Sequence, residues 1–372
     1  MIKSVYIHIP FCEKICSYCD FCKVLYNEEL VDKYLEALER DILENYKGEE
    51  IRTLYIGGGT PSALSVCQLE KLFKICSIFK RSELEEFTIE ANFESTTHEK
   101  LDLFRRAGVN RLSFGLESTK SHLLKFLNRD FDREHIIDIV KYAKEIGFKN
   151  INIDLIYALE NESLKDLEDD LDFVTSLDVE HISTYSLIIE EHTLLHVLKK
   201  ENINEDMDFA MYKFICKYLK DRGFKHYEIS NFAREGYYSK HNSVYWCNLE
   251  YYGFGLGASS YMGNYRINNT RSFEKYFKGE RVLEKEEVSL KDKQEYEVLL
   301  GLRLSYGIDK KKFLKTYGKK IEECYNYSGL IKNGFIMEDQ DRVYIPEDKF
   351  YISNEIIVNF IEGVKDGEEW KL

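Results

Sequence analysis

The stretch SVYIHIPFCEKICSYCDF (Ser4–Phe21) opens as a strand over Ser4–Ile9 and runs into a loop carrying Cys12, Cys16 and Cys19. Glu28–Tyr46 follows, with Leu30, Val31, Tyr34, Leu35, Leu38 and Ile42 recurring at helical spacing. The same strand–loop–helix order repeats outward from this unit. Ile51–Ile56 predicts a second strand with a helix near Ser65–Phe79. Phe87–Ala91 predicts a third with a helix near Thr97–Ala107, and Asn110–Gly115 a fourth. Asp132 caps a helix that runs to Ile146, where Gly147 stops it. Asn150–Ile156, a helix over Leu164–Leu177 and a sixth strand at His181–Leu187 complete the series. Strands and helices alternating in units of about 30–40 residues imply βαβ crossovers and a parallel sheet. Six successive units favour a barrel or partial barrel over an open sheet.

From about Asp206 the pattern loosens. A helix over Asp206–Arg222 precedes residues 225–262, rich in Gly, Tyr, Asn and His, which read as a functional loop region. The charged segment Glu284–Lys293 is the best boundary, dividing the chain into residues 1–285 and 286–372. Beyond it lie helices at Tyr296–Leu304, Lys310–Tyr317 and around Ile321–Asn333. Short strands at Phe335–Glu338 and Val343–Ile345 and a last helix near Ser353–Glu362 follow. Helices followed by a small hairpin predict a winged-helix-like module, read here as structural or docking.

Composition narrows the function classes. The chain has 372 residues, 44% hydrophobic and 32% charged, a globular balance that rules out a disordered chain. Its 66 acidic and 52 basic residues give a net charge of −14, which argues against a duplex nucleic-acid partner. No apolar run approaches the roughly 18 residues of a transmembrane segment. The start, MIKSVYIHIP, lacks the charged and long apolar regions of a signal peptide. Nine cysteines in such a chain do not make a disulfide scaffold and are expected in a reducing cytoplasm. Cys67, Cys76, Cys216, Cys247 and Cys324 are scattered and read as packing residues.

The C-x3-C-x2-C of Cys12, Cys16 and Cys19 sits at the end of the first strand. Three thiolates at this spacing hold three corners of a [4Fe–4S] cluster and leave one iron open for a ligand. The competing reading is a structural zinc site closed by Cys22 or His8. In a parallel barrel the working groups lie at the C-terminal ends of strands. Cys12, Gly57–Thr60, Glu90, Glu117 and Asp154 all fall at or near such ends and face one mouth.

Tyr6–Phe21 resembles the opening of the radical S-adenosylmethionine (SAM) family, in its HemN/HemW branch, and the resemblance runs almost the full length. It includes GGGTPS (Gly57–Ser62), EANFES (Glu90–Ser95), GVNRLSFGLES (Gly108–Ser118), NIDLIYAL (Asn152–Leu159) and HYEISNFAREGY (His226–Tyr237). HNSVYW (His241–Trp246), YYGFGLGASSY (Tyr251–Tyr261), GLRLSYGI (Gly301–Ile308) and ISNEIIVNFI (Ile352–Ile361) extend it to the C-terminal domain. The resemblance implies a partial (βα)6 barrel, the cluster, and SAM chelating the open iron. It matches Tyr6, Gly58 and Glu90 to SAM-contacting positions. Tyr18, Gly59, Thr60, Glu117, Arg129 and Asp154 match positions that meet a second SAM in porphyrinogen-oxidising members. The family pattern has Gln where Glu117 stands, a departure that bears on that second site. SAM cleavage to 5′-deoxyadenosine and methionine is implied, with a reducing electron donor of the flavodoxin or ferredoxin kind.

Within the branch, the decarboxylases resemble C-x3-C-x2-C-x-C. Here Phe21 stands at the extra position, Cys22 comes one place later, and only five residues precede Tyr6. These features resemble the haem-chaperone side, which implies haem as a bound group and a haem-acceptor protein as partner. On that reading His241 is the leading candidate for an axial haem ligand, with His226 behind it. A hydrogen-bonded structural role for His241 is the alternative. LENES (Leu159–Ser163) and GASSY (Gly257–Tyr261) depart from the chaperone pattern, the latter lacking a histidine. An oxygen-independent coproporphyrinogen III dehydrogenase and a methyl-transferring enzyme of the same branch remain the other readings.

Overall fold

The computed structural model describes residues 2–130 and 132–363. Six strands run parallel in chain order: β1 (Ser4–Ile9), β2 (Thr53–Gly58), β3 (Glu86–Asn92), β4 (Arg111–Glu117), β5 (Ile151–Tyr157) and β6 (His181–Ser186). β7 (Lys225–Glu228) and β8 (Asn231–Ala233) extend the sheet beyond β6 in antiparallel fashion. At the other edge β9 (Tyr252–Phe254) pairs parallel to β1. The order β9-β1-β2-β3-β4-β5-β6-β8-β7 makes one nine-stranded sheet whose edges stay apart, which is the predicted partial barrel.

Alternation along the strands explains the curl. Val5, Ile7 and Ile9, Leu54 and Ile56, Phe87 and Ile89, Leu112 and Phe114, and Ile151 and Ile153 belong to the apolar core beneath the outer helices. The residues between them, on the opposite face of the pleat, are largely polar. Asn152 ties this inner layer together: its Nδ2 donates to Ser113 Oγ (2.8 Å) and Asp154 Oδ1 (2.7 Å), and its Oδ1 pairs with His181 Nδ1 (2.6 Å). A two-faced sheet with apolar residues outward and polar residues inward must bend around its polar side. The helices supply the matching apolar stripes, as in Glu28–Asn45, which buries Val31, Tyr34, Leu35, Leu38 and Ile42.

The charged segment Glu284–Lys293 is not a linker. Val282–Glu287 is the exposed edge strand of a small antiparallel sheet with Ser259–Met262 and Tyr265–Asn269. Leu290–Gly301 is a helix capped by Ser289. Charge on an edge strand keeps it solvated and blocks pairing with other chains, so the run that resembles a boundary is a strand. The region expected as one helix around Ile321–Asn333 holds two short ones, Ile321–Cys324 and Ser328–Lys332. The predicted winged-helix pattern is present, with strands Ile308–Asp309, Arg342–Tyr344 and Met337–Glu338 in one small sheet. A second buried cluster, from Val298 to Phe360, forms the core of this part.

Gly253 fixes how β9 seats against the Ser259–Met262 strand. A Cβ there would stand 1.8 Å from the Ser259 carbonyl oxygen, and Gly253 also exchanges hydrogen bonds with Ser260 Oγ. Gly253→Ala is expected to force these backbones apart and destabilise the fold by about 2 kcal/mol. Denaturant midpoints of the two proteins, at unchanged slope, check this.

Candidate active site

The loop between Cys12 and Val24 is held at both ends. Phe11 and Cys12 bridge to Val24 and Leu25, and Ser17 N donates to the Leu127 carbonyl (3.1 Å). The glycine turn ending β2 packs against its base: Gly59 N donates to Ile9 O (2.9 Å) and Thr60 N to Phe11 O (2.8 Å). This approach tolerates no side chain. A Cβ on Gly59 would lie 2.9 Å from Cys12 Sγ, and one on Gly57 would lie 2.7 Å from Glu90 Cδ. Gly58 has φ +124°, a region that favours glycine, and a Cβ there would strike the His8 ring.

Above the turn lies a cavity of about 350 Å³. Its walls include Cys12, Cys16, Tyr18, Cys19, Gly58, Gly59, Thr60, Glu90, Glu117, Arg129 and Asp154. The structure brings these sequence-named candidates to one cavity, and two others, Tyr6 and His241, fall outside it. Tyr6 lies one layer deeper, its hydroxyl on His8 Nδ1 (3.0 Å), and lines a separate chamber. His241 lines that same chamber toward the opposite end of the barrel, where its Nδ1 meets the hydroxyl of Thr53, the first residue of β2 (2.9 Å). Five residue steps along β2 separate Thr53 from Gly58, roughly 17 Å at the usual rise per residue. The His241 Nε2 meets the Tyr245 hydroxyl (2.8 Å), and the residue is fully buried. Burial and the nearby Arg111 charge push its pKa down to about 3. Both nitrogens are engaged, so as folded His241 has none free for a haem iron, and its geometry is that of the structural alternative. His226 is half-buried, its Nε2 on the Ile229 carbonyl (3.1 Å) and its Nδ1 near Cys216 Sγ (4.0 Å).

The carboxyls of the site differ in support. Glu90 accepts from Tyr55 (2.7 Å) and from Gly58 N (2.9 Å), yet burial pushes its pKa up to about 7. Asp154 is also raised by burial. Glu117 ends β4 with a left-handed φ of 67° and accepts from Tyr18 (2.9 Å) and Arg129 Nη1 (3.2 Å). Burial pushes Glu117 up to about 7 even against that guanidinium. Arg129 also binds both oxygens of Glu94 (3.2 Å each) and the Gly115 carbonyl (2.9 Å), and points at Cys16 Sγ (3.9 Å). Sequence reasoning missed Asn92, Ser113, Gly115, Tyr185, Leu187 and Ile188 in the cavity wall. Inward alternation on β4 and β6 was the available signal for Ser113, Gly115 and Tyr185.

Burial raises all three loop thiols, Cys12 to about 11, so they stay protonated until iron takes the protons' place. Among the described residues no three His, Cys, Asp or Glu side chains converge on a single-ion site. The thiols instead ring a cavity, which suits a cluster with separated iron corners rather than one zinc about 2.3 Å from every sulfur. The two suggested closing ligands are turned away. His8 Nε2 donates to the Cys22 carbonyl (2.7 Å) and Nδ1 is held by Tyr6, while the Cys22 side chain packs against Gly257.

The sequence profile of the Radical SAM superfamily matches residues 6–174, the span that builds this mouth. The barrel and site are therefore those of a radical SAM protein, with a [4Fe–4S] cluster and SAM as the superfamily's cofactors. Proteins named Heme chaperone HemW in Bacillus subtilis and Lactococcus lactis are each 37% identical to the chain. They cover 97% and 96% of it, over 99% and 97% of their own lengths. The chain belongs to the HemW family. Its fold is similar to that of the coproporphyrinogen III oxidase HemN from Escherichia coli, with a TM-score of 0.85 and 22% identity over 98% of this chain and 91% of that one. Among the described residues no helix is long and apolar enough to cross a membrane.

Cys12, Cys16 and Cys19 would hold the cluster and the Gly58–Thr60 turn would receive SAM. Replacing any of the three cysteines by Ala is expected to abolish the iron–sulfur absorbance after anaerobic reconstitution. Cys22→Ala is expected to retain it, and visible absorbance with iron and zinc analysis of the four variants checks both statements.

Proposed function

We propose that this protein is a haem chaperone: it binds haem and passes it to an acceptor protein, with its cluster and SAM as resident cofactors. The observation that carries this reading is the near full-length similarity to proteins named Heme chaperone HemW, with the cluster loop intact. Phe21 supports it. The residue two after the third cysteine lines the cavity and is 61% exposed, so an apolar ring stands where the decarboxylase pattern has a further thiol.

The cluster, held by Cys12, Cys16 and Cys19, would supply the electron for reductive cleavage of SAM; the protein's part is placement. The turn offers backbone groups at close range, Glu90 and Asp154 offer carboxyls, and Tyr18, Glu117 and Arg129 fasten the loop to the barrel wall. The electron comes from a reducing donor of the flavodoxin or ferredoxin kind. Free cysteines throughout fit a reducing cytoplasm. His241 supports the bottom of the barrel in this reading and is not the iron's ligand.

Anaerobic reconstitution followed by separate titrations with haem and coproporphyrinogen III tests the proposal. Stoichiometric haem binding, with no protoporphyrinogen IX formed under reducing conditions with SAM, is the expected result. Turnover of coproporphyrinogen at a catalytic rate overturns the chaperone reading in favour of the dehydrogenase. His241→Ala is expected to lower the melting temperature, because it opens a cavity and strands Thr53 and Tyr245; haem loss in a variant that keeps full stability would return that residue to the ligand role.

A further inference from the structure

Below the cofactor cavity, on the far side of Glu90 and Tyr185, lies a second chamber of about 400 Å³. Its walls are aromatic: Tyr6, Tyr55, Tyr185, His241, Tyr245 and Trp246. Three buried polar atoms of lining residues have no hydrogen-bond partner: Trp246 Nε1, Arg303 Nε and Asn231 Oδ1. Asn231 is only 4% exposed. A buried polar atom left unpaired costs about 1–3 kcal/mol, so three around one cavity mark a place built for something polar. Two of the three are donors. The indole and guanidinium are neighbours, with Arg303 Cζ 5.9 Å from the Trp246 ring.

The acids in the wall are already served. Glu228 accepts from Ser230 N (3.2 Å) and Asn231 Nδ2, and Glu90 accepts from Tyr55 and Gly58. Arg303 spends one Nη2 bond on Asn354 (3.0 Å) and keeps its Nε–H free.

The chamber also has an approach. Tyr185, Ile229, Ser230 and Arg303 line both it and a groove of about 1380 Å³ between the β6 end of the barrel and the Ser353–Glu362 helix. The groove carries Glu205, Asp208, Glu355 and Glu362, and Arg303 is the one Arg or Lys lining either space among the described residues. An anionic group entering there is repelled along the walls and meets its first cation at the inner end.

We propose that Arg303 and Trp246 form an internal carboxylate subsite, entered from the groove beside the C-terminal part, which anchors a carboxylate arm of a flat aromatic ligand. The inference rests on the haem reading above, in which a propionate is that arm. The aromatic walls take the apolar body, and the two free N–H groups take the carboxylate oxygens. Burial pushes Glu90 and Glu228 up to about 7, which lessens repulsion of an incoming anion. A ligand anchored at Arg303 reaches toward Glu90 and Tyr185, the wall shared with the cofactor cavity.

The test compares haem with haem dimethyl ester, whose propionates carry no charge, on the reconstituted wild type and on Trp246→Phe and Arg303→Met. Trp246→Phe keeps an aromatic ring while removing the donor and the second ring of the indole; cluster absorbance, melting temperature and ester affinity are read alongside to separate donor loss from a packing or folding defect. The expected result is about tenfold weaker binding of the ester by the wild type, and about tenfold weaker haem binding by each variant with ester affinity unchanged. Equal affinity for haem and ester, with both variants unaffected, overturns the subsite and leaves the haem reading standing. No haem binding by the wild type overturns both.

Discussion

Two backbone hydrogen bonds, from Gly59 N to Ile9 O and from Thr60 N to Phe11 O, hold the glycine turn of β2 against the root of the cysteine loop. The rest of the mouth depends on that contact. It is possible only because Gly57, Gly58 and Gly59 present no Cβ where Glu90, His8 and Cys12 stand. The turn that would receive SAM by its peptide groups is thus the same turn that positions Cys12. Binding and cluster geometry cannot be changed independently there. A larger residue at any of the three glycines moves a carboxyl, a histidine or a cysteine before it meets a ligand.

The inverted pattern of the sheet extends this constraint through the barrel. Because the apolar residues of each strand face outward, the interior is filled with hydrogen-bonding side chains that need partners. Asn152, Ser113, His181 and Tyr227 form a hydrogen-bonded chain that also takes in Asp154, Ser183 and the Ser239 N–H. At the lower end the Lys240–Trp246 helix begins on Glu86, which accepts from the backbone N–H groups of Lys240 and His241 (2.9 Å each). An anion at a helix N-terminus is favourable, so Glu86 both starts the helix and fixes it beneath the barrel. That placement buries the His241 ring, and it sets Trp246 at the edge of the inner chamber.

This explains which parts of the molecule were legible in the sequence. The alternation of strands and helices, the cysteine spacing and the Gly57–Thr60 turn are local patterns, and each led to the correct end of a strand. Glu90, Glu117 and Asp154 were legible for the same reason: in a parallel barrel, chain position along a strand is height in the barrel. His241 follows no strand, so its height depends on a contact with Glu86 that lies 155 residues away in sequence. Its neighbours Tyr245 and Trp246 share that fate. The charged run at Glu284–Glu287 was misleading for a related reason, since composition reports solvation and an edge strand is as solvated as a linker. Tyr6 shows a finer limit: its strand and its inward face were readable, but not that it stops one layer short of the cofactor cavity.

Glu117 is where the local and long-range constraints meet. It ends β4 in a left-handed conformation that a non-glycine residue adopts at a cost of about 1–3 kcal/mol, and such strain persists only where surroundings hold it. The surroundings here are specific: Tyr18 from the cysteine loop and Arg129 from the segment after β4 both bond Glu117 Oε1. Arg129 in turn grips Glu94 beyond β3 and points at Cys16. A glutamine at this position would accept from the same donors through its carbonyl oxygen, but without charge to balance the guanidinium. With glutamate, the Arg129 charge is shared between two carboxyls inside the fold, and less of it faces the cavity. A ligand carrying its own carboxylate therefore finds a weaker anchor on this wall than the family pattern offers. This departure from that pattern thus reduces the pull of this wall on an anionic ligand while keeping the loop fastened to the barrel.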